Sequence, residues 1–307
     1  MDLDRLPKVW IPNHKGYDSL LIIGGNTIYT IDRHDYESLD YLPTDKSKSL
    51  DIIIPQPTQE WKDWFHKIQK SISLNYYDKR VLDFCFNVES KTKPEELLNF
   101  ILQRDISSED LKQSILNKKI EQSIQPFYID LDDKVLFGVT PEKVLTRKGN
   151  KVMVEILGGT KLKKGSWTQN KYLEHDLIVD DVLDKIGQNK NVSDISYEER
   201  QTKYVGYAHH LQTQIFFSFD STNDELIRLI HPTLAVKSHN QNRNYFGGLI
   251  GFESKDELHL WLNIRSGVYQ NDTYNLCVGC GITSESDIDE EWKEVGKKLN
   301  WISPIFN

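Results

Sequence analysis

VGCGITSESDIDEEWKEVGKKL, from Val278 to Leu299, is the stretch from which the rest of the chain can be read. A β-rich run ends in a glycine-rich turn, Gly279-Cys280-Gly281, and a helix opens at Ser286-Asp287. Ser286 suits an N-cap, with Asp289 three residues on as its capping-box partner. Asp287, Asp289 and Glu290 crowd the first turn, where the helix dipole favours negative charge. Glu291, Glu294 and Lys298 follow at spacings of three and four, so the helix projects all three from one face, with Trp292 on the far, core side. Two carboxylates and an amine on one stripe could hold a metal ion and an anion. The bland alternative is a solvated face carrying an i,i+4 Glu–Lys pair.

Composition narrows the class. The 307 residues, 38% hydrophobic and 27% charged, suit a globular protein with a sizeable core. No apolar run approaches the ~20 residues of a membrane span, and the N-terminus lacks a signal-peptide layout. A net charge of -8 argues against nucleic-acid binding. Cys85, Cys277 and Cys280 make no disulfide framework, which predicts a reducing, cytoplasmic setting. The lone Cys277-Val-Gly-Cys280 has no second ligand pair for zinc, and both cysteines read as small strand residues.

Helices and strands arrive in two waves. After a short β-containing segment over 1–58, with strands at Leu20–Ile23 and Thr27–Ile31, Trp61, Trp64, Phe65, Ile68 and Ile72 predict a helix over Gln59–Ile72. Leu82, Phe84, Phe86 and Val88 alternate along a strand, Arg80–Glu89. Two amphipathic helices are expected over Pro94–Arg104 and Ser108–Lys118. Strands at Pro126–Leu131, Lys134–Val139 and Val152–Leu157 then read as a meander. A long helix over Ser166–Ile186 carries Leu173, Leu177, Ile178, Val182 and Ile186 as its apolar stripe. Glu174 lies on the buried side and needs a partner, whether a metal or a basic side chain. Tyr204–Phe219 reads as a helix or strand leading into a β run, and Asp224–Ile230 as a short helix. Strands at Tyr245–Phe252, Leu258–Ser266 and Tyr274–Ile282 make a second meander, for an α+β class overall.

An ordered series of motifs runs through this frame: Thr140-Pro141-Glu142, Gly158-Gly159-Thr160, Glu174-His175, His210-Leu211-Gln212-Thr213, His231-Pro232-Thr233, Tyr245-Phe246-Gly247-Gly248, Ile264-Arg265, Gly279-Cys280-Gly281-Ile282, and Glu291 to Glu294 with Lys298. Together they resemble the chorismate-utilising enzymes: isochorismate, salicylate, anthranilate and aminodeoxychorismate synthases. The resemblance implies one α+β domain over 59–307, joined by the 1–58 segment. Two large stacked antiparallel sheets would carry helices outside and a Mg2+-dependent site between them. It implies chorismate as small-molecule substrate, with no obligatory protein partner. Glu174 and Glu294, with Glu291 beside them, match the metal ligands. Gly159 and Thr160 match the elements around the metal-bound ring carboxylate. Arg265, Tyr245 and the Gly279–Gly281 turn match the pocket for the enolpyruvyl carboxylate, where an arginine fork suits a planar anion. Lys298 would join this network, and His210 and Thr233 complete the binding set.

Glu142 matches the general acid, which must be kept neutral. The base in isochorismate and salicylate synthases is a lysine at the head of a strand. Lys79 and Arg80 stand there, and arginine does not release its proton, leaving Lys79. Gly158 stands where aminodeoxychorismate synthases carry a nucleophilic lysine, and His231-Pro232-Thr233 replaces the anthranilate synthases' glycine-rich motif. The resemblance therefore leans to isochorismate synthase, serving menaquinone or siderophore synthesis, with salicylate synthase and a non-catalytic chorismate-binding homologue as alternatives. Two departures bear on this. Only Lys237 to Asn244 fill a gap that holds a turn and a helix in the family. Asn170-Lys171 stand where the family carries Lys-Glu ahead of Glu-His.

Overall fold

The computed structural model describes residues 8–11, 17–24, 27–39, 57–74, 79–89, 93–95, 97–98, 125–131, 133–161, 165–205, 208–233, 243 and 245–299. The helices expected over 94–104 and 108–118, and the shortened segment after Val236, lie largely outside these residues.

Among the described residues, sixteen strands form two sheets. The first holds β1 (Lys8–Trp10), β4 (Glu37–Ser38), β5 (Arg80–Glu89), β6 (Gln125–Asp130), β7 (Val135–Thr140), β15 (Ser266–Gln270) and β16 (Thr273–Ile282), in the order β4-β1-β6-β7-β15-β16-β5. The second holds β2 (Ser19–Gly24), β3 (Thr27–Asp32), β8 (Lys143–Lys148), β9 (Lys151–Lys161), β10 (Val192–Tyr197), β12 (Ala208–Phe219), β13 (Leu249–Glu253) and β14 (Glu257–Leu262), with β11 (Gln201–Val205) paired to β12. Pairing is antiparallel throughout except for the short parallel contact of β1 with β4.

The sheets stack face to face. Val9, Phe127, Ile129 and Leu136 of the first meet Leu20, Ile22, Ile250 and Phe252 of the second in one buried cluster. Helices α2 (Gln169–Gly187) and α3 (Asn223–Ile230) cover the outer face of the second sheet through Ile178, Val182, Ile186, Leu226, Ile227 and Ile230. Helices α1 (Gln59–Ser73) and α4 (Ile288–Leu299) cover the first through Trp61, Phe65, Ile68, Ile72 and Val295. Trp292 packs edge-on against Trp61 and Phe84, as its place on the far side of α4 predicts.

Neither expected meander exists as one unit. β6–β7 is a hairpin of the first sheet, whereas β8–β9 belongs to the second. Likewise β13–β14 lies in the second sheet and β15–β16 in the first. Between the described strands the chain changes sheets four times, and two of these joints, at Thr140–Glu142 and at Asn263–Arg265, lie side by side because β7 pairs with β15 and β8 with β14. Backbone bonds Leu262 N–H to Glu142 O, 2.8 Å, and Val139 N–H to Arg265 O, 3.0 Å, pin them together. Alternation marks a strand's inner face but not which sheet it joins, which is why the sequence reads as continuous meanders.

One open reading is settled and three further expectations change. Tyr204–Phe219 is strand, split between β11 and β12. Leu173 is exposed, and His175 fills its place in the buried stripe of α2. Gly279-Cys280-Gly281 is no turn but the interior of β16, opposite Asp83, Leu82 and Val81 of β5. Cys85 and Cys277, expected as free thiols, are joined by a disulfide with Cα atoms 4.1 Å apart. Sequence cannot anticipate that pairing, because only the register of β5 on β16 sets two cysteines 192 positions apart directly opposite each other.

Candidate active site

A cavity of about 840 Å³ opens where the two neighbouring joints at Thr140–Glu142 and Asn263–Arg265, the end of β9, the middle of β16 and the helices α2 and α4 converge. Lys79, Glu142, Gly159, Thr160, Glu174, His210, Arg265, Gly279, Gly281, Glu291, Glu294 and Lys298 all line it. Thr233 and Tyr245 are not among its lining residues. Thr233 is buried next to the described end of α3. Tyr245 turns its ring to Tyr29 and Lys134, while its carbonyl accepts the Asn263 side-chain amide at 2.9 Å. Its part is to fasten the second joint, because the backbone bonds of the tight 245–248 turn face Asn263.

Helix α4 brings its acidic stripe to the cavity on a cap one residue later than expected. Asp287 Oδ1 accepts from the N–H groups of Asp289 and Glu290, both at 3.0 Å. Ser286 instead donates to Glu291 Oε1 at 3.0 Å and accepts from the Thr283 N–H at 3.1 Å. Helix α2 approaches from the other sheet. A bulge at Gly159, which has φ of 61°, lets it settle on β9: a side chain there would place Cβ 2.8 Å from the Lys171 carbonyl oxygen.

Where the helices meet, five charges interlock. Lys79 Nζ lies 3.1 Å from Glu174 Oε1. Lys171 Nζ lies 3.4 Å from Glu174 Oε2 and 3.3 Å from Glu294 Oε2. Lys298 Nζ lies 2.9 Å from Glu294 Oε1 and donates to Gly279 O at 2.8 Å. Burial alone would raise the Glu174 carboxyl, but the Lys79 and Lys171 ammoniums outweigh it and hold the pKa down. Burial likewise opposes ionisation of Glu294, and Lys298 and Lys171 bring it to about 2. The same contacts outweigh the burial of Lys171 and Lys298 and raise both lysines. Gly281 makes room for the cluster, since a Cβ on it would stand 2.6 Å from Glu174 Oε1 and 2.7 Å from Lys79 Cε.

Glu142 faces this cluster from the first joint. Burial raises its pKa to about 7 against the pull of Lys298, Arg265 and Lys79, so it can hold a proton near neutrality. Glu291 is also raised to about 7, by burial and then by Glu294, and its Oε2 is buried without a hydrogen-bond partner. His210 shares a hydrogen bond at 3.2 Å between Nδ1 and Thr160 Oγ1, leaving Nε2 buried and unpartnered. Burial, with Arg265 and Lys298 nearby, lowers it to about 4, so it is a neutral imidazole. His175 is a core residue, bonded through Nε2 to Thr213 Oγ1 at 2.8 Å. Arg265 itself has φ of 49°, a left-handed conformation uncommon for a side-chain-bearing residue and frequent at functional joints.

Two lining residues escape sequence reasoning. Arg243 is lodged against Gly247, with a buried Nη1 that has no hydrogen-bond partner. It stands alone in a polar run with no periodicity to mark it. Lys171 registers in the sequence only as a missing acid, because its partner Glu294 is 123 positions away.

The expected Mg2+ does not fit between Glu174 and Glu294 as they stand. A divalent ion needs oxygens converging on one point, and an ammonium occupies that point. The other oxygen of each carboxylate is taken by Lys79 or Lys298. Glu291 Oε2 alone is spare, on a carboxyl half-neutral near pH 7. Among the described residues, the one trio with donor atoms within 4.8 Å of one another is Asp32, His34 and Asp35, exposed and outside the cavity.

Two stacked sheets, joined twice beside a cavity that holds buried acids and lysines, define an enzyme-like fold with a charged internal site. The chain belongs to the chorismate binding enzyme family, whose sequence signature matches residues 30–306. It is similar to isochorismate synthase MenF of Bacillus subtilis (strain 168), 26% identical over 84% of this chain and 58% of that one. It is also similar to anthranilate synthase component 1 of Neisseria meningitidis serogroup B, 21% identical over 56% of this chain and 41% of that one. The chain spans about half the length of the curated relatives it matches. Among solved structures, the menaquinone-specific isochorismate synthase MenF of Escherichia coli superposes with a TM-score of 0.70 at 15% identity, over 94% of this chain and 79% of that one. A putative 2,3-dihydroxybenzoate-specific isochorismate synthase, DhbC of Bacillus anthracis, gives 0.73 at 17%, over 94% and 84%. At these identities the likeness is one of fold.

Proposed function

We propose that this chain is an isochorismate synthase, adding water to the chorismate ring as the original ring hydroxyl leaves. The observation that carries the reading is one cavity holding Glu142, raised to about 7, together with Lys79 at the head of β5. Glu142 gives its proton to the departing hydroxyl, which leaves as water. The attacking water loses a proton to Lys79, so one water enters and one leaves. Lys79 takes that proton as a neutral amine, so its own proton must first pass to solvent and its ion pair with Glu174 Oε1, at 3.1 Å, must open. Arg265 and Arg243 supply guanidinium forks for the enolpyruvyl carboxylate, and His210 Nε2 a neutral polar contact.

Favouring a second reading, a non-catalytic chorismate-binding protein, is the same ion pair, which engages the Lys79 Nζ with Glu174 at 3.1 Å. Incubation with chorismate and chromatography of the products separates the possibilities. Isochorismate supports the proposal, and chorismate that binds unchanged supports the second reading. Salicylate with pyruvate, or anthranilate when ammonium is supplied, assigns the chain to another activity of the family. A menaquinone or siderophore pathway accords with the proposal.

A further inference from the structure

We infer that Lys171 is the built-in cation of this site, its ammonium standing between Glu174 and Glu294 where a divalent metal ion would otherwise be held. Geometry comes first. Lys171 is one helical turn before Glu174 on α2, so both side chains leave the same face, and its Nζ reaches Glu294 of α4 in the opposite layer. Its backbone is seated by the bulge at Gly159. The neighbouring Asn170 bridges in the same direction, its Oδ1 accepting from Thr283 Oγ1 at 2.8 Å just ahead of α4. A cross-layer tie between these helices is therefore made by this chain's own side chains.

Charge gives the same answer. Glu174 and Glu294 contribute two negative charges, and Lys79, Lys171 and Lys298 contribute three positive ones. Glu291 adds a third carboxyl to the same cavity. Such a cluster is close to neutral or slightly positive before any ligand arrives. Mg2+ sheds its water reluctantly and is held by carboxylates at about 2.0–2.1 Å, so it would have to displace an ammonium that already has two partners. The positive excess suits a carboxylate instead. Resting on the proposed reading, the ring carboxylate of chorismate is received by Lys171 with Lys298.

The test uses Mn2+ as the metal probe, followed by its free-ion electron paramagnetic resonance signal, on the wild-type chain, Lys171→Glu and Lys171→Gln. Wild type is expected to leave the free Mn2+ signal unchanged at millimolar metal. Lys171→Glu, with an acid in place of the ammonium, is expected to bind one Mn2+ per chain roughly tenfold or more tighter than wild type, and its Tm to rise with added Mg2+ while wild-type Tm does not. If the Glu variant does not fold, a smaller gain in Lys171→Gln carries the same meaning. One Mn2+ bound per wild-type chain overturns the inference, as does a folded variant that gains no Mn2+. Turnover of chorismate in wild type should survive a chelator. If chorismate is not turned over at all, the proposed function fails while the Mn2+ titration still decides the role of Lys171.

Discussion

Glu142 carries the sharpest consequence at the scale of single residues. Its pKa rises to about 7 because burial outweighs three nearby cations, and its protonated form is the one that can serve a leaving hydroxyl. Isochorismate formation should therefore fall as pH rises through about 7, and a plot of kcat/KM against pH should show that limb. Glu142→Gln is expected to lower kcat by roughly 10²-fold or more and to remove the limb. An unchanged profile would take the proton-donor role away from this residue. Gly281 makes the complementary case, since its lack of a side chain is what admits the Lys79–Glu174 pair. In Gly281→Ala the new Cβ must push Glu174 Oε1 from 2.6 Å and Lys79 Cε from 2.7 Å. Turnover is expected to drop roughly tenfold or more while the far-ultraviolet circular dichroism stays as it was.

At the scale of elements, two helices in opposite outer layers deliver one charge cluster, so each helix terminus matters to the site. Asp287 holds the first turn of α4 through two backbone N–H groups, and this helix carries Glu291, Glu294 and Lys298. Asp287→Ala should cost about 0.5–2 kcal/mol in urea unfolding at neutral pH. Ser286→Ala does something different. It frees Glu291 Oε1 rather than uncapping the helix, because the Ser286 hydroxyl is turned inward to that carboxyl. The two neighbouring joints between sheets belong to this scale too. Thr140–Glu142 and Asn263–Arg265 hold each other by backbone hydrogen bonds, so the acid and the guanidinium are fixed by main chain on both sides of the cavity.

For the molecule as a whole, buried titratable groups set the pH dependence of stability, and the signs can be worked through in turn. His175, His210 and His231 are each lowered to about 4 by burial, so the stability they contribute is lost as pH falls from the unfolded value of 6.5 toward 4. Glu174 and Glu294, held down by their lysines, add a further loss below 4.5. Glu142 and Glu291 act oppositely: raised to about 7, they cost stability as pH climbs from 4.5 through about 7. Thermal melts across pH should therefore peak at about pH 6, with the steeper fall on the acid side, where most of these groups act together. A flat or monotonic profile would contradict the burial of these groups.

How much of this was legible beforehand follows from the range of each cause. The helix over 288–299, its acidic stripe and the core position of Trp292 are local, and spacing alone reveals them. The buried side of Glu174 and its need of a partner could be read the same way. Its partners, Lys79 and Lys171, could not be weighed against a metal, because pattern says nothing about which side chain arrives from the next layer. The interior position of the three glycine-turn residues in β16 was missed for a related reason: glycine in a strand signals a close approach only once the approaching group is known. Thr233 and Tyr245, expected at the substrate, do not line the cavity, and Arg243, unmarked in the sequence, does.

By itself the sequence determined the α+β class, the helices that carry the acids, and the family, because helical and strand periods and ordered motifs are written in neighbouring residues. Only the tertiary structure decided that the chain changes sheets beside Glu142 and Arg265, that Cys85 meets Cys277, and that an ammonium links Glu174 to Glu294. Those outcomes depend on strand register and on contacts across more than a hundred residues, which hydrophobic periodicity does not encode and which folding fixes only when whole layers pack.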